Sequence, residues 1–152
     1  MKDLTIRPLL PEEEPIIATL QRDAESRRFL PEPDFSVQKA QRWGIWYKGT
    51  FIGWVEILGT PPLLWIARIE IDARYRYQGW GSIALKHILE YFGRRARIHE
   101  VRAAVHQENI PALRFFEKMG FEPISEADFT GEFVLRYSFS TQSRKGSPNF
   151  IS

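Results

Sequence analysis

The chain has 152 residues, 43% of them hydrophobic, which suffices for one domain with a full core and falls short of two ordinary ones. Its net charge of +2 is too small to define a nucleic-acid surface, and zero Cys excludes disulfides, thiolate metal sites and a cysteine acyl-enzyme. No apolar run approaches the roughly twenty residues that cross a bilayer, and Met1-Lys2-Asp3 leads into a strand rather than a signal-peptide core. The expectation is a cytoplasmic protein without membrane contact, and the 3 scattered His give no metal-ligand spacing.

In chain order, residues 4–9 read as a first strand. A helix then opens at Pro11-Glu12-Glu13-Glu14, with Ile16, Ile17 and Leu20 on one face and acids where a helix start favours them. A second helical piece is predicted over 23–30, ending before Pro31-Glu32-Pro33, and a third, short one over 37–42. Residues 43–47 and 51–58 read as strands around the hairpin signal Lys48-Gly49, and Gly59-Thr60-Pro61-Pro62 breaks into a strand over 65–72. Ala84, Leu85, Ile88, Leu89 and Phe92 recur at helical spacing, with Gly93 where a left-handed cap is expected. A strand over 100–106, a helix behind Asn109, and closing strands over 123–128 and 133–139 complete a single domain over 1–140. The Ser-, Lys- and Gly-bearing stretch 141–152 is expected to be a mobile tail.

Two motifs carry the chemistry. Arg76-Tyr77-Gln78-Gly79-Trp80-Gly81 joins a strand to an amphipathic helix with glycines at the turn. Glycine lets the backbone approach a ligand closely, and the first amides of a helix have no acceptor within it, so they converge on an anion with the positive end of the helix dipole behind them. The plainer alternative is an ordinary strand-to-helix connection. The second motif runs from Asn109-Ile110-Pro111-Ala112 to Lys118-Met119-Gly120-Phe121, with an Asn cap, Pro in the first turn and a Gly-Phe stop. By itself it is a well-capped surface helix.

Together, about thirty residues apart as in an α/β unit, the motifs resemble those of the GNAT superfamily of N-acetyltransferases, closest to the branch of ribosomal-protein and spermidine N-acetyltransferases. Arg76, Gly79 and Gly81 match the family's pyrophosphate turn, and Asn109, Ala112, Lys118, Gly120 and Phe121 match its Asn-x-x-Ala-x-x-x-Tyr-x-Lys-x-Gly-Phe helix beside the pantetheine arm. The resemblance implies an α/β (α+β) fold: a mixed, mostly antiparallel sheet of six to seven strands with about four flanking helices, whose fourth and fifth strands splay apart. It implies acetyl-CoA as acyl donor, with backbone groups of Ile69, Glu70 and Ile71 pairing with the pantetheine. Arg74, Arg76, Tyr77, Gln78, Gly79, Trp80, Gly81 and Ser82 are then placed around the pyrophosphate, and Asn109, Ala112, Phe116 and Lys118 along the cofactor arm.

The implied reaction is direct attack of a primary amine, on a small molecule or a protein, on the thioester. Glu70, on the strand beside the thioester, is the candidate proton acceptor; a strand residue on a partly solvated face is the equal alternative, and Glu56 and His106 are second choices. In several family members a Glu starts the fourth strand; Trp65 stands near there, so that role does not carry over. Phe116 replaces the family's Tyr and has no proton to give the leaving thiolate, which raises a competing reading as a non-catalytic acyl-CoA sensor of the same fold. The Arg94, Arg95 and Arg97 cluster admits an RNA-binding reading, ranked last because cations suit a helix end. The resemblance implies that the acceptor pocket is made largely by residues 23–39 together with the closing strands; these carry no decodable motif, and Glu25, Glu32 and Asp34 read equally as solvated surface acids. A homodimer is common in the family and has no support from residues here.

Overall fold

The structure is a computed structural model that describes residues 3–35, 39–125 and 130–139. Among the described residues seven strands, β1 (Leu4–Pro8), β2 (Gln41–Tyr47), β3 (Thr50–Thr60), β4 (Leu63–Ile71), β5 (Glu100–His106), β6 (Glu122–Ser125) and β7 (Glu132–Ser138), take the order β1-β2-β3-β4-β5-β7-β6, and the backbone groups into two compact units, Met1–Leu58 with Ala67–Ala84 and Gly59–Ile66 with Leu85–Ser152.

In the first unit, β1 (Leu4–Pro8) pairs antiparallel with β2 (Gln41–Tyr47), which pairs antiparallel with β3 (Thr50–Thr60). The β2–β3 hairpin closes through Lys48 and Gly49, both at positive φ (49° and 82°), the handedness that a two-residue turn needs to match strand twist. The predicted helix at Pro11 is a 3-10 helix over Pro11–Thr19. Pro15 inside it has no N–H to give an α-helical ladder, and its ring clashes with the carbonyl a turn earlier. Ile17, Leu20, Phe51 and Trp54 form its buried cluster, with Leu9, Ile16 and Trp46 against them. The second predicted helix is α1 (Ala24–Phe29), whose cap Asp23 accepts the Ser26 amide at 2.8 Å. Of the short helix predicted over 37–42, Gln41 and Arg42 open β2 instead, and 37 and 38 lie outside the described residues.

β4 (Leu63–Ile71) begins in the second unit and ends in the first. Its start lies parallel to β5 (Glu100–His106), with pairs from Leu63 and Glu100 to Ile66 and Ala103. β5 continues to His106 against β7 (Glu132–Ser138), which also pairs with β6 (Glu122–Ser125). Of the strand predicted over 123–128, 126–128 lie outside the described residues, as does the tail 141–152. Gly59 does not break β3 as predicted; it stays in the strand at φ +100°, where a Cβ would sit 2.8 Å from the Leu63 carbonyl oxygen. α2 (Trp80–Gly93) ends on Gly93 itself, which therefore precedes the cap position it was assigned.

α3 (Ile110–Lys118) shows how sequence sets a helix end. Asn109 Oδ1 accepts the Ala112 amide at 3.4 Å. At the other end Gly120 takes φ 98°; its amide donates to the Glu117 carbonyl and that of Phe121 to the Phe116 carbonyl, both at 3.0 Å. This is the bond pattern of a Schellman stop, and the apolar contact that accompanies it is the Phe116–Phe121 ring pair, with centroids 5.1 Å apart. Gly120→Ala forces a side chain into the left-handed region and is expected to lower stability by about 1–2 kcal/mol. Chemical denaturation should show a lower midpoint at unchanged slope, with Gly120→Asn falling between the two.

Candidate active site

The first unit places the glycine turn directly after β4. Asp72, fully buried, accepts the Gln21 amide, the Arg74 amide, Arg74 Nε and Arg74 Nη2, each at 2.9 Å. The Arg74 guanidinium is the largest cause that holds the Asp72 carboxyl down from 3.8 to about 2, with the two amides adding to it. Asp72 also donates its own amide to the Ile52 carbonyl of β3 at 2.8 Å. Because backbone groups of alternate strand residues face opposite edges, those of Ile69 and Ile71 point away from β3.

Beyond a 3-10 turn over Ala73–Tyr75, the chain enters the loop with Tyr77 at φ 61° and 83% exposed. Gly79 follows at φ +87°, with nothing within 4 Å of where a Cβ would stand. The Ile83 amide donates to the Gly79 carbonyl at 3.1 Å, closing the first turn of α2. The amides of Trp80, Gly81 and Ser82 precede that bond and belong to the helix end that lacks internal acceptors. Trp80 fixes this end: its ring packs on Tyr47 at 4.6 Å and its Nε1 donates to Gln78 Oε1 at 3.3 Å. An open, positive-φ glycine ahead of unpaired amides fits a pyrophosphate group, which such amides bind end-on.

The two arginines assigned to phosphates are engaged otherwise. Arg74 lies on Asp72 as above. Arg76 Nη1 is 3.0 Å from Asp23 Oδ1, Asp23 Oδ2 and Ser26 Oγ. The Ser26 amide is the main cause that lowers the Asp23 carboxyl, and the Arg76 charge assists.

Glu70 is only 3% exposed, so the partly solvated face considered for it does not apply. Its Oε1 accepts Trp54 Nε1 at 3.0 Å and Arg68 Nη1 at 3.4 Å, and Arg22 Nε lies 2.6 Å from Oε2. Arg68 is itself buried, and that burial pushes its guanidinium down against the pull of Glu70. The sequence reading passed over Arg22, Arg42 and Arg68. Strand parity could have found the last: Arg68 and Glu70 share the face of Leu64 and Ile66, the buried face of β4. Glu56 pairs with Arg42, whose Nε is 3.1 Å away and whose Nη1 is 2.6 Å from Glu14.

In the second unit Asn109 and Ala112 form the α3 cap, and Phe116 is buried, 5.2 Å from Phe115 and 5.1 Å from Phe121 between ring centroids. Lys118 lines a groove of about 340 Å³ with Lys86, Glu90 and Tyr137. His106 Nδ1 accepts the Glu108 amide at 3.0 Å. Arg95 lies over the Tyr91 ring at 3.5 Å and donates to the Tyr91 carbonyl at 2.8 Å, which places it on the end of α2 as expected of a cation there. Among the described residues no group of His, Asp and Glu is arranged to hold a metal, and no helix is long and apolar enough to cross a membrane.

Residues 6–121 match the acetyltransferase (GNAT) family, so the chain belongs to that family; the match runs through both units. The ribosomal-protein-S18-alanine N-acetyltransferase of Escherichia coli has the same fold, with a TM-score of 0.72 at 16% identity over 90% of this chain and 94% of that one. The PaiA N-acetyltransferase of Thermoplasma acidophilum, solved with coenzyme A, gives 0.72 at 17% identity over 89% and 98%. In sequence, the chain is 28% identical to the spermine/spermidine N(1)-acetyltransferase of Bacillus subtilis over 101 residues, 60% of this chain and 66% of that protein. It is 31% identical over 88 residues to the mouse alpha/beta-tubulin-N-acetyltransferase 9, 58% of this chain and 36% of that protein. The chain thus spans 66% and 36% of the length of these two relatives matched in sequence.

Asp72 gives the site a pH signature. A carboxyl lowered on folding from 3.8 to about 2 contributes stability above pH 4 that is lost as pH falls through about 2. Asp72→Asn is expected to cost about 2 kcal/mol at pH 7. The gap between wild type and variant should close as pH falls from 5 to about 2. Melting curves across that range are the check, and a gap independent of pH would contradict the assignment.

Proposed function

We propose that the chain is an acetyl-CoA-dependent N-acetyltransferase that moves an acetyl group to a primary amine of a small molecule or a protein by direct attack. The observation that carries this reading is the open, positive-φ Gly79 ahead of the unpaired amides of α2, in a chain of this family. In this reading the amides of Trp80, Gly81 and Ser82 hold the pyrophosphate, and the outward backbone groups of Ile69 and Ile71 pair with the pantetheine amides. Acetyl-CoA, when bound, supplies the activated acyl group.

The proton work asked of the protein is modest for one acceptor class and large for another. At pH 7 an α-amine of pKa about 8 costs about 1.4 kcal/mol to deprotonate, whereas a lysine-like amine near 10.4 costs about 4.6 kcal/mol. The leaving thiol, with a pKa of about 8.5, departs tolerably without a donor. That fits a chain in which the family's Tyr is the buried Phe116. The same Phe116 favours a second reading, a non-catalytic acyl-CoA sensor. As an enzyme the protein would work in the cytoplasm and assemble as a homo-oligomer; the dodecameric spermidine N-acetyltransferase of Vibrio cholerae, which shares the fold at a TM-score of 0.73, supports the latter.

Two measurements test the reading. Acetyl-CoA at about a hundredfold excess over Kd should stabilise the protein by about 2.7 kcal/mol, and acetate should not. Gly79→Asp puts a negative charge at the turn and should abolish that shift while the circular dichroism spectrum is kept. Free thiol released with a panel of amines then separates the readings: release identifies the enzyme, binding without release the sensor. No thermal shift with any acyl-CoA would contradict both.

A further inference from the structure

Three buried or nearly buried guanidinium groups in the first unit share one bonding pattern. Arg22 lies on Glu70 and donates through Nη2 to the Leu30 carbonyl at 2.5 Å. Arg68 donates to Glu70 and, through Nη2, to the Pro31 carbonyl. Arg42 lies between Glu14 and Glu56 and donates through Nη2 to the Asp34 carbonyl at 3.3 Å. Each arginine thus joins a carboxylate to a backbone carbonyl of residues 30–34. That segment has no fully buried residue; Pro31, Glu32 and Asp34 are exposed, and Leu30 and Pro33 half-buried. Charge-assisted hydrogen bonds, rather than apolar burial, hold it in place.

The same stretch is tied at its other end to the glycine turn. The Ala73 amide donates to the Gln21 carbonyl at 2.8 Å, the Gln21 amide to Asp72 Oδ2 at 2.9 Å, and Arg76 pairs with the α1 cap Asp23. Residues 21–34 are therefore registered on β4 and its exit at two places, on either side of Ile71. A proton acceptor needs a lone pair open to the substrate. Glu70 is 3% exposed and has Trp54, Arg68 and Arg22 around its two oxygens.

We propose that Glu70, with Arg22 and Arg68, is a positioning cluster that holds residues 30–34 against β4 as the wall of the amine-acceptor side, rather than the base of the reaction. The proposal rests on the acetyltransferase reading, because the wall stands beside the β4 backbone that reading gives to the acyl arm. Arg68→Met breaks the tie to Pro31, Arg68→Lys keeps the charge without the planar fork, and Glu70→Gln keeps the shape and an acceptor for Trp54 without the charge.

The test measures kcat and KM for the best amine from pH 6 to 9, acetyl-CoA affinity by calorimetry, and hydrogen exchange at the Glu32 and Asp34 amides. Arg68→Met and Glu70→Gln should each raise the amine KM about tenfold with a smaller change in kcat and an unaltered pH profile. Acetyl-CoA affinity should hold, both amides should exchange faster, and Arg68→Lys should fall between. Glu70→Gln that lost kcat and one limb of the pH profile at unchanged KM would overturn the proposal in favour of a base. Unchanged exchange in Arg68→Met would overturn it from the other side. Should Arg68→Met fail to fold, Arg68→Lys carries the same comparison. If no amine is turned over, the acetyltransferase reading fails on its own, and exchange at Glu32 and Asp34 still decides whether the cluster holds the segment.

Discussion

A single buried carboxylate organises the candidate site. Asp72 follows β4, caps the 3-10 turn that leads to the glycines, and takes the Gln21 amide from a distant part of the chain. An ionised carboxylate with no solvent is costly unless its lone pairs are filled, and four donors at 2.9 Å fill them. Because those donors come from before α1 and after β4, the bonds that neutralise Asp72 also fix where the turn begins. The open space at Gly79 and the unpaired start of α2 follow a few residues later.

A second set of charges works by the same logic on a larger scale. Arg22, Arg42 and Arg68 each neutralise a carboxylate and spend a remaining N–H on a carbonyl of residues 30–34. A buried ion pair is weak evidence of net stability, since desolvation offsets much of the attraction. Its value here is specificity of placement: a proline-bearing segment with little apolar surface acquires one position. Glu14, Glu56 and Glu70 are thereby matched by the protein's own cations.

The legible parts of the fold were those whose signals are local. Lys48-Gly49 sits between two strands, Asn109 and Gly120-Phe121 bracket α3, and the glycine turn lies between β4 and α2; each is decided within a few residues. The 3-10 course of Pro11–Thr19 was legible in principle from Pro15 but was outweighed by the apolar spacing. What resisted reading was long-range. The sequence leaves Glu70 equally a proton acceptor or a partly solvated strand residue because its partners, Arg22 and Trp54, come from other elements, and it offers Arg74 and Arg76 to phosphates because it does not show their pairing with Asp72 and Asp23. The missing hydroxyl of Phe116 is visible in sequence, whereas its burial against Phe121, the residue that also completes the helix stop, is not.

The central claim is that backbone amides at the start of α2 hold the pyrophosphate of the acyl donor. An amide-resolved NMR titration with CoA, set beside one with pantetheine, which lacks the phosphates, tests it most directly. The account expects the amides of Gly79 to Ile83 to shift with CoA and stay put with pantetheine, while those of Ile69 and Ile71 respond to both. Shifts that gather elsewhere, with the residue 79–83 amides unmoved by saturating CoA, would contradict it.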